Sequence, residues 1–234
     1  MKKIAIIGTG YVGLVSGAGL SEFGHQVICT DIDQTKISRL ESGVIPIYEP
    51  GLKSLVHSNV SAGRLSFSSD PASAIISSDI IFIAVGTPQA ENGEADLSAV
   101  KAVAETISDN LNSYNIVSTK STVPVGTGKW IESIISSHNS QTRFDYVSNP
   151  EFLREGSSVK DFMYPDRIVI GTRTKKSYEI MKEVYRPLFI NETPLLDVTV
   201  ETAEMIKYAS NAFLALKISY INEIANLCEA VGAD

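Results

Sequence analysis

The chain has 234 residues, of which 44% are hydrophobic and 20% charged, and its net charge is −7 at pH 7. This composition is typical of a globular protein with one large domain, or one domain and part of another. The acidic balance argues against a nucleic-acid or membrane partner, and no apolar run approaches the roughly 20 residues that span a bilayer. We therefore expect a cytoplasmic protein. Its two cysteines, Cys29 and Cys228, show no spacing typical of a disulfide framework or a metal site, so no metal is expected.

The first 31 residues have the pattern of a β-turn-α-β unit. A β-branched run at Lys3–Ile7 predicts a buried strand, and Gly8–Gly13 follows it with the spacing GxGxxG. A helix is expected over residues 14–23, and a second strand at Gln26–Thr30 runs into Asp31. The glycine spacing alone is weak evidence, because glycines also serve ordinary turns. The strand before it, the helix after it and the acid behind it favour a dinucleotide site.

The glycines of this motif have separate expected roles. Gly8 allows a tight turn, Gly10 lets the backbone approach a pyrophosphate, and Gly13 lets the helix pack on the strand. The free N–H groups at the start of the helix favour phosphate. Asp31 would accept hydrogen bonds from ribose hydroxyls and disfavour a 2′-phosphate, which predicts NAD rather than NADP. Lys36 could reach the ribose or the phosphates, or it could be a solvated helix lysine.

The rest of the chain alternates between strand and helix patterns. Strands are expected at residues 65–68, 79–85, 115–120, 144–148, 167–171 and 195–200. Helices are expected at residues 34–40, 52–59, 70–77, 97–111, 128–137 and 175–185, and from 201 onward. This order predicts an α/β fold with a doubly wound, mainly parallel, Rossmann-like sheet followed by a long C-terminal helix. We divide it into a dinucleotide-binding domain at 1–200 and the start of a long central helix at 201–234.

Two groups of polar residues admit two interpretations on pattern alone. The segment Asn149–Gly156 follows a predicted strand; a surface turn would explain its proline and glycine but does not require its two acids. Functional and structural interpretations of it are even. Lys207 and Asn211 lie four residues apart on one face of the last helix, where spacing alone favours a solvated polar stripe.

Six segments together resemble the UDP-glucose/GDP-mannose dehydrogenase family of nucleotide-sugar dehydrogenases. They are Lys3–Leu14, Tyr48–Leu52, Gly86–Pro88, Ser121–Gly126, Asn149–Gly156 and Glu204–Ala212. The likeness covers the chain in order, and Asp161–Gly171 is similar to the UDP-glucose branch rather than the GDP-mannose or UDP-N-acetylhexosamine branches. The resemblance implies oxidation of the C6 alcohol of UDP-glucose to the carboxylate of UDP-glucuronate, a polysaccharide precursor. Two NAD would be used in succession, with a cysteine-bound intermediate.

The resemblance also implies site residues. The NAD site would consist of Gly8, Gly10, Tyr11, Val12, Gly13, Asp31, Lys36, Thr87, Thr122 and Glu155. The substrate UDP-glucose would be held by Glu151, Phe152, Leu153, Arg154, Glu155, Lys207 and Asn211. Lys207 and Asn211 would stabilise the oxyanion that forms as hydride leaves C6. Glu151 with Thr122 would hold the water that hydrolyses the thioester, and Glu151 would handle its proton.

One departure from the family pattern limits what the chain can do. The family's nucleophilic cysteine lies in a Gly-Gly-Ser-Cys-Phe-Pro-Lys-Asp segment that does not occur in these 234 residues, and neither Cys29 nor Cys228 matches it. The UDP-binding C-terminal domain is likewise absent. We therefore expect the NAD-binding part of such an enzyme, as a truncation or a natural fragment, without full turnover and paired as a homodimer through its C-terminal helix. The alternatives are a non-catalytic NAD-binding module, a dehydrogenase of another nucleotide sugar and, less favoured, a hydroxy-acid dehydrogenase.

Overall fold

The computed structural model describes residues 1–138 and 143–234 of the chain. The strands are β1 (Lys3–Ile7), β2 (Gln26–Thr30), β3 (Leu65–Ser68), β4 (Ile80–Ile83), β5 (Asn115–Thr119), β6 (Phe144–Ser148), β7 (Ile168–Thr172) and β8 (Leu195–Val198). The helices are α1 (Tyr11–Glu22), α2 (Gln34–Glu41), α3 (Leu52–Ser61), α4 (Pro71–Ile76), α5 (Ser98–Asn110), α6 (Thr127–His138), α7 (Ser158–Met163), α8 (Lys175–Val184) and α9 (Val200–Val231). A 3₁₀ helix covers Arg186–Asn191.

The eight strands form one sheet in the order β3-β2-β1-β4-β5-β6-β7-β8 within the described ranges. The strands β1 to β6 pair in parallel, and the chain reverses its direction across the sheet between β3 and β4. Such a switch point opens a crevice at the carboxyl ends of the strands on either side of it. The predicted doubly wound, mainly parallel fold is confirmed.

Helices cover both faces of the sheet, as the continuous apolar strands require. On β1, Ile4 and Ile6 pack into one core with α1, α3 and α8, while Ala5 and Ile7 face a second core with α4, α5 and α6. All four residues of β4 are buried, as expected of a strand with no solvated face. Because both faces of the sheet are packed against helices, the ends of the strands that carry the loops at the carboxyl edge are held in place.

The strand β7 runs antiparallel to the strands β1 to β6, and the strand pattern of the sequence could not reveal this direction. It is antiparallel to β6 through the pairs Val147 with Thr172 and Ser148 with Gly171, and β8 is parallel to β7. This register places the start of β7 beyond the carboxyl end of β6. The residues that precede β7 therefore lie at the same edge as the loops that follow β1 and β4 to β6.

Two short elements were not predicted. The helix α7 has only six residues, too few for an apolar period to be visible, and the 3₁₀ helix begins at an arginine-proline pair that reads as a break. Both pack against the first core, through Phe162 and Leu188.

The last helix, α9, divides into a packed part and an exposed part. Its first two turns bury Val200, Ala203, Glu204 and Lys207 against the sheet. From residue 211 onward its side chains are largely exposed, including large apolar ones such as Phe213 and Tyr220. Among the described residues, no helix, α9 included, is both long and apolar enough to cross a membrane.

Candidate functional site

The glycine-rich turn between β1 and α1 is built so that only glycine fits at two of its three positions. Gly8 has φ +106°, and a Cβ there would press on the carbonyl of Ala84 at the end of β4. A Cβ on Gly13 would overlap the carbonyl oxygen of Gly8. At Gly10, by contrast, a Cβ would meet no atom within 4 Å among the described residues. The turn is therefore closely packed underneath and open above Gly10, where a phosphate could lie against the start of α1.

Asp31 ends β2 beside this turn and is strongly hydrogen-bonded. Its carboxylate accepts from the Thr9 backbone N–H at 3.0 Å, the Thr9 hydroxyl at 2.7 Å and the Lys36 Nζ at 2.7 Å. Burial alone would raise the pKa of Asp31, but the bonds from Lys36 and Thr9 outweigh it and bring the pKa to about 2. The side chain is ionised at neutral pH, which suits the role of a hydrogen-bond acceptor for hydroxyl groups.

A largely apolar cleft runs from this carboxylate across the switch point. It is lined by residues of the glycine turn, by Asp31 and Lys36, by Pro71, Ile75, Ala99 and Val103 from the facing helices, and by Val85 after β4. An apolar slot with one acidic group at its end fits an adenosine, whose base is flat and whose ribose carries hydroxyls. The residues present thus fit a dinucleotide.

Two loops at the same edge are joined by hydrogen bonds. The Thr87 hydroxyl donates to the carbonyl of Thr122 at 2.8 Å, and the Ser121 hydroxyl donates to the carbonyl of Val85 at 2.6 Å. The segments after β4 and β5 are thereby held together, and both predicted threonines lie at the edge that carries the glycine turn.

Lys207 and Glu151 form a buried ion pair. The Lys207 Nζ lies 3.0 Å from Glu151 Oε1, and the two side chains are only 8% and 12% exposed. The other carboxylate oxygen of Glu151 accepts from the backbone N–H of Leu153. The solvated stripe that spacing favoured for Lys207 is thus wrong, because the first turns of α9 pack beside the loop after β6.

The remaining residues of the loop at 151–155 have different surroundings. The centroid of the Phe152 ring lies 4.1 Å from the Arg167 guanidinium and 5.3 Å from the Lys207 ammonium. Arg154 is exposed and pairs with Asp161 through two side-chain hydrogen bonds, which raise the pKa of its guanidinium. Arg154 therefore faces α7 in this structure. Leu153 packs on the first core.

Three other predicted residues lie around this loop. Tyr11, the first residue of α1, donates its hydroxyl to Glu49 at 2.6 Å. Glu155 is exposed, and its charge lies close enough to Tyr11 to contribute to the raised pKa of that hydroxyl. Asn211 is exposed one turn beyond Lys207. It has no hydrogen-bond or ion-pair partner within the described part of the chain, so its predicted role stays a prediction.

Three buried charged residues were not predicted as functional. Glu204 accepts from the backbone N–H groups of Gly126 and Gly128 at the start of α6, both at 2.7 Å. Lys120 is 3% exposed under the loop after β6, with the rings of Phe82, Phe162 and Tyr185 around its ammonium. Burial lowers the pKa of Lys120 to about 8. A lysine at the end of an otherwise uncharged buried strand is the signal that could have found it.

The third such residue is Glu49, in the loop before α3. It is 5% exposed and accepts hydrogen bonds from Tyr11, Gly156 and Ser158. Its position in a loop with two prolines gave no sign of burial.

Comparison with known proteins agrees with this geometry. Residues 2–189 match the NAD binding domain of the UDP-glucose/GDP-mannose dehydrogenase family, and residues 201–234 match its central domain. The chain is 57% identical over 235 aligned residues to UDP-glucose 6-dehydrogenase TuaD of Bacillus subtilis, covering 100% of this chain and 50% of that protein. It is 56% identical to the UDP-glucose 6-dehydrogenase of Rhizobium meliloti, covering 99% of this chain and 54% of that one.

A solved structure is also similar. The UDP-glucose dehydrogenase of the archaeon Pyrobaculum islandicum superposes with a TM-score of 0.96 at 40% identity, over 100% of this chain and 54% of that one. The chain spans about half the length of the curated relatives that it matches. The family match over most of the chain, the glycine turn and the acid behind it all agree: the chain belongs to the UDP-glucose/GDP-mannose dehydrogenase family and contains that family's NAD binding domain.

Proposed function

We propose that this chain supplies the NAD site and part of the sugar site of an enzyme that oxidises UDP-glucose to UDP-glucuronate. The observation that carries the proposal is the ion pair at the carboxyl edge of the sheet between Lys207 of α9 and Glu151 of the loop after β6, both of which are largely buried. We assign residues 1–200 to the dinucleotide-binding domain and 201–234 to the start of the central helix, a division supported by the two family matches. The family's nucleophilic cysteine segment does not occur in these residues, so we assign the chain no complete turnover.

Cofactor binding rests on the glycine turn and Asp31. In this proposal the pyrophosphate lies over Gly10 at the start of α1, and Asp31 accepts from the adenosine ribose. Val12, Gly13, Lys36, Thr87 and Thr122 complete the site, with Glu155 at the nicotinamide end. Bound NAD supplies the hydride acceptor. The chain's own residues then have to orient the cofactor and hold the sugar C6 against it.

We propose that the ammonium of Lys207 stabilises negative charge on the C6 oxygen; its burial and its pairing with Glu151 support this role. An ammonium held by burial costs no reorganisation when charge develops, and one such donor is typically worth ~3 to 4 kcal/mol of barrier. We propose Asn211 as a second donor. Glu151, held by Lys207 and the Leu153 N–H, would with Thr122 hold the attacking water and would itself take that water's proton. We propose Phe152, Leu153 and Arg154 as neighbours of the sugar nucleotide, Arg154 after release from Asp161.

The substrate assignment is tested in the protein at its natural length by following NAD reduction. UDP-glucose, GDP-mannose and a UDP-N-acetylhexosamine are supplied separately at equal concentration. We expect turnover with UDP-glucose at least about tenfold above the others, a difference of roughly 1.4 kcal/mol in transition-state binding. Turnover only with another sugar, or none with any, would overturn the proposal.

The cofactor assignment predicts a specific effect of Asp31→Asn on the 234-residue chain. Loss of a charged acceptor should weaken NAD binding about tenfold, and NADP should no longer be discriminated against, because the carboxylate that repels a 2′-phosphate is gone. The measurement is calorimetric titration with NAD and NADP. Asp33→Asn is the matched control, because Asp33 caps α2 and asparagine caps equally well. Equal affinity of the unchanged chain for both cofactors would contradict the role of Asp31.

We also propose that the chain pairs as a homodimer through α9. The support is the stripe of large apolar side chains exposed beyond residue 211, including Phe213, Leu216 and Tyr220. Leu216→Glu should raise the dimer dissociation constant at least about tenfold by placing a charge in the interface. Asn222→Glu, on the polar side of the helix, should leave it within about twofold. Sedimentation that finds only monomer at high concentration would contradict the proposal.

We also propose that the protein is cytoplasmic. Both cysteines are free thiols in the structure, as is usual in a reducing compartment.

A further inference from the structure

Glu49 is a buried carboxylate whose partners are neutral hydrogen-bond donors. Glutamate is almost never fully buried unless it is paired, yet Glu49 is 5% exposed while its neighbour Tyr48 is 91% exposed. It accepts from the Tyr11 hydroxyl at 2.6 Å, the Gly156 N–H at 2.6 Å and the Ser158 N–H at 3.2 Å. The side chain is buried although its two neighbours, Tyr48 and Pro50, are exposed.

The three donors belong to two elements that are far apart in the chain. Tyr11 is the first residue of α1, directly after the glycine turn. Gly156 directly follows the loop at 151–155, and Ser158 is the first residue of α7. Gly156 has φ +86°, a conformation that L residues rarely adopt, and in it the Gly156 N–H meets the carboxylate. Glu49 therefore joins α1, which begins at the proposed NAD site, to residues 151–158, which lie at the proposed sugar site.

The charge on Glu49 strengthens this contact. Burial would raise the pKa of Glu49, but the bonds from Tyr11 and from the backbone of Gly156 outweigh it and lower the pKa, so the carboxylate is ionised at neutral pH. Burial, followed by the bond to Glu49, raises the pKa of Tyr11 to about 12, which keeps that hydroxyl protonated as a donor. Hydrogen bonds with one ionised partner are shorter and stronger than neutral ones.

The loop at 151–155 has other fixed points, and the helix that follows it also packs on α1, through Phe162 against Gly19 and Phe23. Glu151 is held by Lys207 of α9, and Arg154 is held by Asp161 of α7. Glu49 fixes the far end of the same loop and also contacts α1. The distance between the cofactor and the sugar depends on how that end is held, because the two ligands would be bound by opposite sides of this contact.

We propose that Glu49 is a positioning residue that holds the 151–158 segment against α1 and so sets the sugar C6 against the nicotinamide. It touches neither ligand in this role and acts through the Gly156 and Ser158 N–H groups. The proposal rests on the function proposed above. It predicts that loss of the carboxylate affects the use of the sugar far more than the binding of NAD.

The first test needs no substrate and uses the 234-residue chain. Hydrogen exchange is measured on Glu49→Gln, whose amide keeps one acceptor oxygen but turns N–H groups toward either the Gly156 or the Ser158 donor, since these two N–H groups bind different carboxylate oxygens. We expect exchange over residues 151–158 to accelerate at least about tenfold, while NAD affinity stays within about twofold. Glu22→Gln is the matched control: Glu22 accepts from Asn59 at the other end of α1, so its loss should not change exchange at 151–158. Unchanged exchange in Glu49→Gln, or acceleration spread over the whole chain, would overturn the proposal.

The second test is kinetic and uses the protein at its natural length. We expect Glu49→Gln to reduce kcat/KM for UDP-glucose at least about tenfold, with KM for NAD within about twofold. Glu49→Asp keeps the charge and should recover part of that loss; it also serves if Glu49→Gln fails to fold. An equal loss in the NAD and sugar constants would mean that Glu49 only supports the fold. Failure of the unchanged enzyme to oxidise UDP-glucose would defeat the proposed function, while the exchange test would still decide the role of Glu49.

Discussion

Gly13→Ala is expected to prevent the first β-α-β unit from packing, with a loss of about 3 kcal/mol or more in the free energy of unfolding. The added Cβ would overlap the carbonyl oxygen of Gly8, and Gly8 has little room to withdraw, because it lies so close to the end of β4 that a Cβ on it would meet the Ala84 carbonyl oxygen at 2.7 Å. Overpacking of a core typically costs 1 to 3 kcal/mol, and a clash with backbone on both sides belongs at or above the top of that range. Chemical denaturation measures the loss, and NAD binding should disappear with it.

Gly10→Ala is the matched variant that separates folding from binding. Its Cβ would meet no atom within 4 Å in the part of the chain that is described, and φ −71° with ψ −168° suits alanine. Only the small preference for glycine over alanine at a helix N-cap should be lost, about 1 kcal/mol or less. If the pyrophosphate passes over Gly10, however, the methyl group occupies its place and NAD affinity should fall at least about a hundredfold. NAD affinity unchanged in Gly10→Ala would show that the phosphates lie elsewhere.

Lys207→Met should cost about 3 kcal/mol of stability in the 234-residue chain, independently of any catalysis. It would leave the Glu151 carboxylate buried with the Leu153 N–H and without its ammonium. Breaking a buried pair by removing one partner typically costs 3 to 5 kcal/mol. The lower end is expected here because the charge of Lys120 also acts on Glu151.

The double variant Lys207→Met/Glu151→Gln should recover to within about 1 kcal/mol of the unchanged chain, since Glu151→Gln removes the carboxylate that Lys207→Met leaves without its ammonium. Urea denaturation of the two single variants, the double variant and the parent gives the coupling energy. Lys53→Met, at an exposed position of α3, controls for the loss of a lysine and should change stability by less than about 0.5 kcal/mol. A cost below about 1 kcal/mol for Lys207→Met would mean that the pair is solvated in solution.

Local chemistry predicted most of the fold. The β-branched run of β1, the Asp-Pro start of α4 and the helical period of α5 each indicated the element that the structure contains. The direction of β7 was beyond prediction, because an antiparallel strand and a parallel one have the same buried pattern when both faces are covered. The helix α7 was missed because six residues show no period.

The site was harder to predict because its contacts span large separations in the chain. Glu49 and Gly156 are 107 residues apart, and Glu204 and Gly126 are 78 apart, so no local pattern pairs them. Lys207 looked solvated for the same reason: periodicity places a residue on a helix face but does not say what covers that face. The glycine turn was predictable because its requirements lie within six residues.

The reversed strand β7 also has an evolutionary consequence. Since β7 starts beyond the carboxyl end of β6, the residues before it, such as Arg167 beside Phe152, lie at the edge where the sugar is proposed to bind. The glycine turn and Asp31 belong to an earlier part of the chain. Mutations just before β7 can therefore alter the proposed sugar site while leaving the glycine turn and Asp31 unchanged. Related proteins can then differ in the sugar that they use while they keep the same glycine turn and the same acid behind it.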